Sequence, residues 1–205
     1  MAHELYTRTN QKIFFAGLSL ESWRKAEETA SMNSQGLIQA EREACLFHLY
    51  GALLGLCHEI AGYYRSPGAD APVVEAFLTR SVLEAAPSPE LAELLELSEQ
   101  PSTWLGQLLA AYRQLFQPPR APAKAKTDPR QPLIEAVTVE DETPPLTRAE
   151  LEAWRQNLKG LALRFRETIP ARNPDALAPG MLWRRWRQIA ANPTFITYSL
   201  LSTGS

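Results

Sequence analysis

The most apolar part of the chain lies between residues 35 and 64, and it predicts the helix around which the other elements pack. From residue 44 to residue 57 apolar side chains fall on every side of a helix, so that none of its faces would be left for water. Such a helix is expected inside a bundle. Its longest apolar run, about 14 residues, is shorter than the roughly 18 to 20 residues that span a bilayer, so no membrane span is expected.

Five other segments repeat apolar residues at three- and four-residue steps, which is the spacing of an amphipathic helix. A short polar break at residues 31–34 should join the first of them to the central helix as an antiparallel hairpin. In the fifth helix the expected buried stripe includes Trp104, Tyr112 and Phe116. The pattern predicts an all-α bundle of five to six helices, with the other helices at residues 4–28, 71–83, 88–99, 102–116 and 147–168.

Capping residues support several of these helix starts. Asp70 and Ser88 each stand directly before or close to a proline that a first helical turn accepts, and a further start falls at residues 101–102. Thr147 and Glu150 have the three-residue spacing of a capping box, which predicts a well-defined start of the last helix.

The composition changes twice after the fifth helix and divides the chain into four parts. Residues 117–131 contain four prolines and four basic residues but no large apolar side chain, so they cannot bury a core and predict a linker. One short extended segment is expected at 132–139, where β-branched residues occur. The predicted parts are a bundle core at 1–116, a proline-rich linker at 117–146, a helix packing back at 147–169 and a basic aromatic tail at 170–205.

Charge is distributed unevenly along the 205 residues. Residues 1–169 carry 17 basic and 22 acidic side chains, a net charge of −5, whereas residues 170–205 carry four and one, a net charge of +3. Any nucleic acid or anionic membrane is therefore expected at the tail rather than at the body. Without a signal-peptide pattern at residues 1–11, and with Cys45 and Cys57 too far apart on one helix to pair, a cytoplasmic protein with reduced cysteines is expected.

Small residues share one face of the central helix. At 100° per residue, Ala44, Gly51 and Gly55 fall within a narrow arc, with His48 and His58 on the same side. Side chains this small let a second helix approach closely, so this face predicts a tight helix crossing, either within the chain or between two chains.

Two groupings on the same helix carry possible chemistry. Glu41, Cys45 and His48 follow one another on successive turns, as metal ligands or an activated thiol would. A metal site in a bundle needs ligands from several helices, and the paired Glu-x-x-His pattern of carboxylate metal sites does not occur in the sequence. No metal ion and no cofactor are therefore expected.

Arg42 and His48 fit the arginine, polar residue, four residues, histidine pattern of the HEPN superfamily of helical ribonucleases. The resemblance implies that the histidine transfers a proton at the RNA phosphodiester and that the arginine neutralises the phosphate charge, usually across a dimer. The alternative is that Arg42 is solvated or paired with a nearby glutamate while His48 is packed. A six-residue offset places the two side chains about 120° apart on a regular helix, which favours this alternative.

Aromatic and basic residues alternate in one short tail segment. Such a segment stacks on bases and neutralises phosphates, lies in a membrane interface, or docks onto the acidic body or another protein. Three positive charges on one short helix favour docking onto protein. The residues are Trp183, Arg184, Arg185, Trp186 and Arg187.

Three stretches, at residues 4–28, 39–65 and 146–167, resemble a family of small bacterial proteins of unknown function found mainly in pseudomonads. The resemblance covers about residues 1–169, implies a cytoplasmic bacterial protein, and brings no activity, cofactor or site with it. The sequence therefore predicts a non-enzymatic helical module that binds another protein. A ribonuclease using Arg42 and His48, and nucleic-acid or membrane binding through the tail, are the alternatives.

Overall fold

The structure is a computed structural model that describes residues 2–29, 31–118 and 146–169, without the side chains of residues 2–4. The described residues form helices and connecting turns, with no strand among them, which confirms the predicted all-α bundle. The elements are α1 (Ala2–Thr29), α2 (Ser34–Tyr64), a 3₁₀ turn (Val74–Ala76), α3 (Arg80–Ala85), α4 (Pro89–Glu99), α5 (Trp104–Gln114) and α6 (Arg148–Thr168).

The helices α1 and α2 form an antiparallel hairpin, because Thr9 lies beside Gly55 whereas Ser22 reaches Glu41. α6 packs against both of them, and α4 and α5 pack on another side of α2. The core formed between these layers is one continuous cluster of buried leucines and aromatic rings. α2 ends as expected, at Arg65, whose left-handed backbone (φ 52°) terminates the helix.

The expectation that α2 has no face toward water is wrong along one strip. Phe47 is exposed, and Gly51, Leu54 and His58, which follow it at four- and three-residue steps, are half-buried. The pattern of apolar residues does not reveal this strip, since it depends on how far the neighbouring helices extend. By length and composition α2 would also be able to cross a bilayer, a property that it shares with the buried core helix of a bundle.

The single helix predicted at 71–83 is also wrong, because the chain forms a 3₁₀ turn and the short helix α3 there. The reason lies in α2, where the Tyr50 hydroxyl accepts a hydrogen bond from the buried backbone N–H of Val74 at 3.0 Å. Val74 is thereby fixed at the start of the turn, and Phe77 is buried one turn later. Asp70 caps no helix, whereas Thr79 caps α3 by accepting the N–H of Val82.

The later helix starts follow their local signals. Ser88 caps α4 and Thr147 caps α6, the latter in a complete capping box with Glu150. The cap of α5 is Thr103, one residue after the predicted pair. Local side-chain chemistry therefore determines where these helices begin. Residues 119–145, most of the predicted linker, and the tail from residue 170 lie outside the described residues.

Candidate interaction surface

Four aromatic side chains meet where the end of α5 lies against α2, and we call Phe47, Tyr50, Tyr112 and Phe116 the aromatic cluster. Tyr50 and Tyr112 stack face to face, with centroids 3.9 Å apart and ring planes 7° from parallel. Phe47 stands edge-on to Tyr112 at 5.5 Å and to Phe116 at 5.8 Å. Tyr112 and Phe116 are 5.3 Å apart at 69°. The three edge-on contacts have distances and angles that are favourable for aromatic rings, whereas the Tyr50 and Tyr112 stack is closer than the usual range of about 4.5–7 Å.

Helical spacing brings these rings together. Phe47 and Tyr50 are three residues apart on α2, and Tyr112 and Phe116 are four residues apart, so each pair lies on one face. Phe116 lies two residues beyond the end of α5, in a final turn in which its N–H donates to the Arg113 carbonyl at 3.2 Å.

Tyr50 holds the inner side of the cluster in place. Its hydroxyl accepts the Val74 N–H and donates to a carboxylate oxygen of Glu75 at 2.8 Å. Burial raises the pKa of Tyr50 to about 12, and burial also raises the pKa of Tyr112. Both phenols therefore stay protonated at neutral pH and keep their donor function.

The outer side of the cluster faces water. Phe47 is 44% exposed and Phe116 is 65% exposed, while Tyr112 is half-buried between them. Neighbouring large rings that remain exposed together are typical of a binding surface, because rigid aromatic side chains bury much apolar area with little loss of rotamer freedom. The exposed carboxylate of Glu75, held by Tyr50, gives the surface a negative edge.

The small-residue face of α2 lies against α1 of the same chain. A Cβ atom on Gly55 would come within 2.6 Å of Thr9 Oγ1, and one on Gly51 would contact the Lys12 side chain at 3.4 Å. Ala44 is half-buried on this side. His58 has a different environment, since its Nε2 lies 2.8 Å from the Ala71 carbonyl oxygen.

His48 is packed toward α1. Its ring lies edge-on to Phe15 at 5.4 Å, and its Nδ1 is buried without a hydrogen-bond partner among the described residues. Burial, with Lys12 adding to it, lowers the pKa of His48. The imidazole is therefore neutral at pH 7.

Arg42 has other contacts. Its guanidinium lies over the Trp23 ring, 5.1 Å from the centroid, and donates to Gln39 Oε1 at 2.6 Å. Within the described residues no hydrogen bond or ring contact joins Arg42 to His48. The structure does not bring the two residues of the ribonuclease pattern together.

Glu41 and Cys45 have separate roles in the bundle. Glu41 accepts a hydrogen bond from Ser22 at 2.7 Å, and burial raises the pKa of the Cys45 thiol to about 12. Over residues 2–29, 31–118 and 146–169, no three His, Cys, Asp or Glu side chains are placed to hold a metal ion. The tail residues Trp183, Arg184, Arg185, Trp186 and Arg187 lie outside the described residues.

Sequence reasoning missed the aromatic cluster. It placed Tyr112 and Phe116 in a buried stripe, and the structure corrects this for Phe116, which is exposed. One signal was available, because Phe116 stands at the very end of its helix, directly before Gln117 and two prolines, where no following turn can cover it. Nothing comparable in the sequence marks Phe47.

Comparison with known proteins gives one finding. Residues 1–170 match DUF6586, described as a family of unknown function. No curated protein matches the chain, and no solved structure matches it either.

Proposed function

Since the chain belongs to DUF6586, a family of unknown function, we propose its role from the structure: it is a non-enzymatic helical module that binds another protein through the aromatic cluster. The observation that carries this proposal is that Phe47 and Phe116 are exposed side by side. Tyr112 contacts both of them and stacks on the buried Tyr50. A binding surface that is already ordered loses little entropy when a partner arrives.

The chemistry of the surface favours a proline-rich partner segment that carries a basic residue. Phe47 and Phe116 present exposed aromatic surface, and proline rings pack against aromatic side chains of this kind in proline-recognition domains. A proline-rich segment is already extended before binding, so ordering it costs little. The Glu75 carboxylate at the edge of the rings complements an arginine or lysine beside the prolines.

The test uses the full chain and an array of 15-residue peptides that contain two prolines three residues apart and one arginine. Binding is measured by fluorescence anisotropy. We expect several of these peptides to bind, and we expect their proline-to-alanine versions to bind at least tenfold more weakly. The double variant Phe47→Ala/Phe116→Ala should lose binding.

Phe14→Ala is the matched control, because this ring is 60% exposed on α1 and contacts Phe15 but none of the rings of the aromatic cluster. The control should bind like the unmodified protein. Equal binding of the peptides and their alanine versions, or full binding by the double variant, would exclude this function.

A further inference from the structure

We infer that the aromatic cluster is occupied by a proline-rich segment of the same chain, residues 129–132, which read PRQP. This inference rests on the proposed function and names the source of the ligand. An external partner then has to compete with the protein's own segment.

The chain leaves the bundle at the cluster itself. Phe116 is one of its rings, and Pro118, two residues later, is exposed at the edge of the described residues. The chain re-enters the structure at α6, where Arg148 donates to Glu27 near the end of α1 at 3.2 Å. The 27 intervening residues, 119–145, extend to about 90 Å when fully stretched. This is far more than a compact bundle requires, so the segment has length to spare for folding back.

The distance along the chain favours residues 129–132 over the earlier prolines. The 13 residues from Phe116 to Pro129 span at most about 45 Å, which is enough chain for a return to the rings. Residues 119–122 also have two prolines three residues apart, but they begin only three residues after Phe116. Stiff prolines so close to Phe116 cannot turn back onto the ring from which they start.

The side chains of the segment match the surface. Pro129 and Pro132 are three residues apart, which is one turn of a polyproline helix, so both fall on one face. Arg130 lies between them and complements the Glu75 carboxylate. Leu133 and Ile134, the first large apolar side chains after Phe116, follow directly. Contact between these side chains and the exposed rings would remove apolar surface of both from water.

Mass action sets the size of the expected effect. A segment tethered close to its site acts at an effective concentration of about 1 mM. A segment whose own Kd at the cluster is about 100 μM then lowers the apparent affinity of an external peptide about tenfold. Removing the internal segment should therefore raise the apparent affinity of the external peptide about tenfold.

The experiment compares full-length proteins. The probe is a labelled peptide with the sequence of residues 127–135, and its binding is followed by fluorescence anisotropy. The variant Pro129→Ala/Pro132→Ala should bind the probe about tenfold more tightly than the unmodified chain. The variant Pro118→Ala/Pro119→Ala removes the same number of prolines and should bind like the unmodified chain.

A second measurement is independent of the probe. Trypsin cuts after Arg130 and after Arg120, and the latter serves as the internal reference. Cleavage after Arg130 should be several-fold slower in the unmodified chain than in Phe47→Ala/Phe116→Ala, while cleavage after Arg120 stays the same in both. Equal cleavage after Arg130 in the two proteins would contradict occupancy of the cluster.

The outcomes separate this inference from the proposed function. Equal affinity of the probe for the unmodified chain and for Pro129→Ala/Pro132→Ala overturns the inference, and binding of other proline-rich peptides then still supports the proposed function. Failure of every proline-rich peptide overturns both. A dimer that forms only while Pro129 and Pro132 are present would overturn occupancy within one chain and assign the segment to a second copy.

Discussion

The two sides of α2 are closed in different ways. On the side of α1 and α6, Arg166 donates through Nε and Nη2 to the Glu59 carboxylate at 2.9 and 2.8 Å, and through Nη1 to Asn10 at 3.0 Å. Its guanidinium also lies over the Tyr6 ring at 4.1 Å. The Arg166 and Glu59 side chains are only 18% and 12% exposed. On the side of α5 the closing groups are aromatic rings that remain open to water.

Helix length explains the difference. α2 has 31 residues and α6 has 21, which correspond to about 46 Å and about 31 Å, so α6 covers most of its neighbour. α5 has 11 residues, about 16 Å, and ends level with Phe47. One side of α2 is therefore sealed over about two thirds of its length by α6 with its paired charges. On the other side a short helix stops and leaves rings uncovered. Stability should depend on the sealed side, and binding on the open side.

The largest effect on stability is expected from Glu59→Ala. It leaves the guanidinium of Arg166 largely buried without its carboxylate, which should lower the free energy of unfolding by about 3 kcal/mol in urea denaturation. Glu93→Ala is the control, because its partner Arg164 is 46% exposed, and it should change stability by less than about 1 kcal/mol. Similar losses in the two variants would show that burial does not increase the contribution of the Arg166 and Glu59 pair to the free energy of unfolding.

The α1 and α2 crossing should respond next. Gly55→Ala forces a Cβ atom to within 2.6 Å of Thr9 Oγ1 and 3.4 Å of Thr9 Cα, so we expect a loss of about 1–3 kcal/mol. Gly36→Ala, on the same helix with nothing within 4 Å, should instead stabilise by about 0.5–1 kcal/mol through helix propensity. The difference between the urea midpoints of the two variants reports how tightly α1 packs against α2 at Gly55. Equal midpoints would mean that α1 moves away from the added methyl group without loss of stability.

Tyr50→Phe probes the inner side of the aromatic cluster. It leaves the buried Val74 N–H without an acceptor, which should lower stability by about 1–2 kcal/mol at pH 7. Burial raises the pKa of Tyr50 in the folded state to about 12, against about 10 in an unfolded chain. Its contribution to stability is therefore complete below pH 10 and is lost between pH 10 and 12, since the unfolded state releases the proton first.

Thermal unfolding of the unmodified chain and of Tyr50→Phe across pH 8 to 12 checks the sign. The variant should show a shallower decrease than the unmodified chain. An equal decrease in the two proteins would mean that deprotonation of Tyr50 is not coupled to unfolding. The remaining decrease in the variant is expected from Tyr112, whose pKa burial also raises, and from Cys45 and Cys57, because burial raises the pKa of each thiol to about 12.

The smallest effect on stability is expected from Phe116→Ser. Since this ring is mostly exposed, its loss should change the free energy of unfolding by less than about 0.5 kcal/mol, while binding of proline-rich peptides should decrease strongly. Circular dichroism with urea denaturation and fluorescence anisotropy measure the two quantities on the same sample. A large loss of stability with unchanged binding would show that the α5 side of α2 contributes to stability and not to binding.

Features that depend on neighbouring residues were predictable from the sequence. Thr147 and Glu150 form their capping box, and Ser88 caps α4, because each contact joins residues three apart. The break in the third helix was not predictable, since it depends on Tyr50, which lies 24 residues before Val74. The exposed face at Phe47 depends on where α5 ends in space. The pattern of apolar residues is the same whether or not a neighbour covers a ring.

The candidate site shows the same limit. Arg42 and His48 match a motif along the chain, but Trp23 and Phe15 of α1 take the two side chains into separate contacts. Phe47 and Phe116 match no motif and become neighbours only through packing of α5 on α2. The sequence motif and the exposed aromatic surface therefore consist of different residues.

The contact between Arg148 and Glu27 joins residues 121 positions apart and has a consequence for how the protein is made. At about 5–20 residues per second, a ribosome needs about 5–20 s to pass from the end of α2 to the end of α6. During this interval the hairpin of α1 and α2 can form from nearby contacts, while the groove between them lacks the helix that fills it. The nascent chain therefore exposes Cys45 and its apolar neighbours for seconds, and a chaperone that shields a helical hairpin would act in that interval.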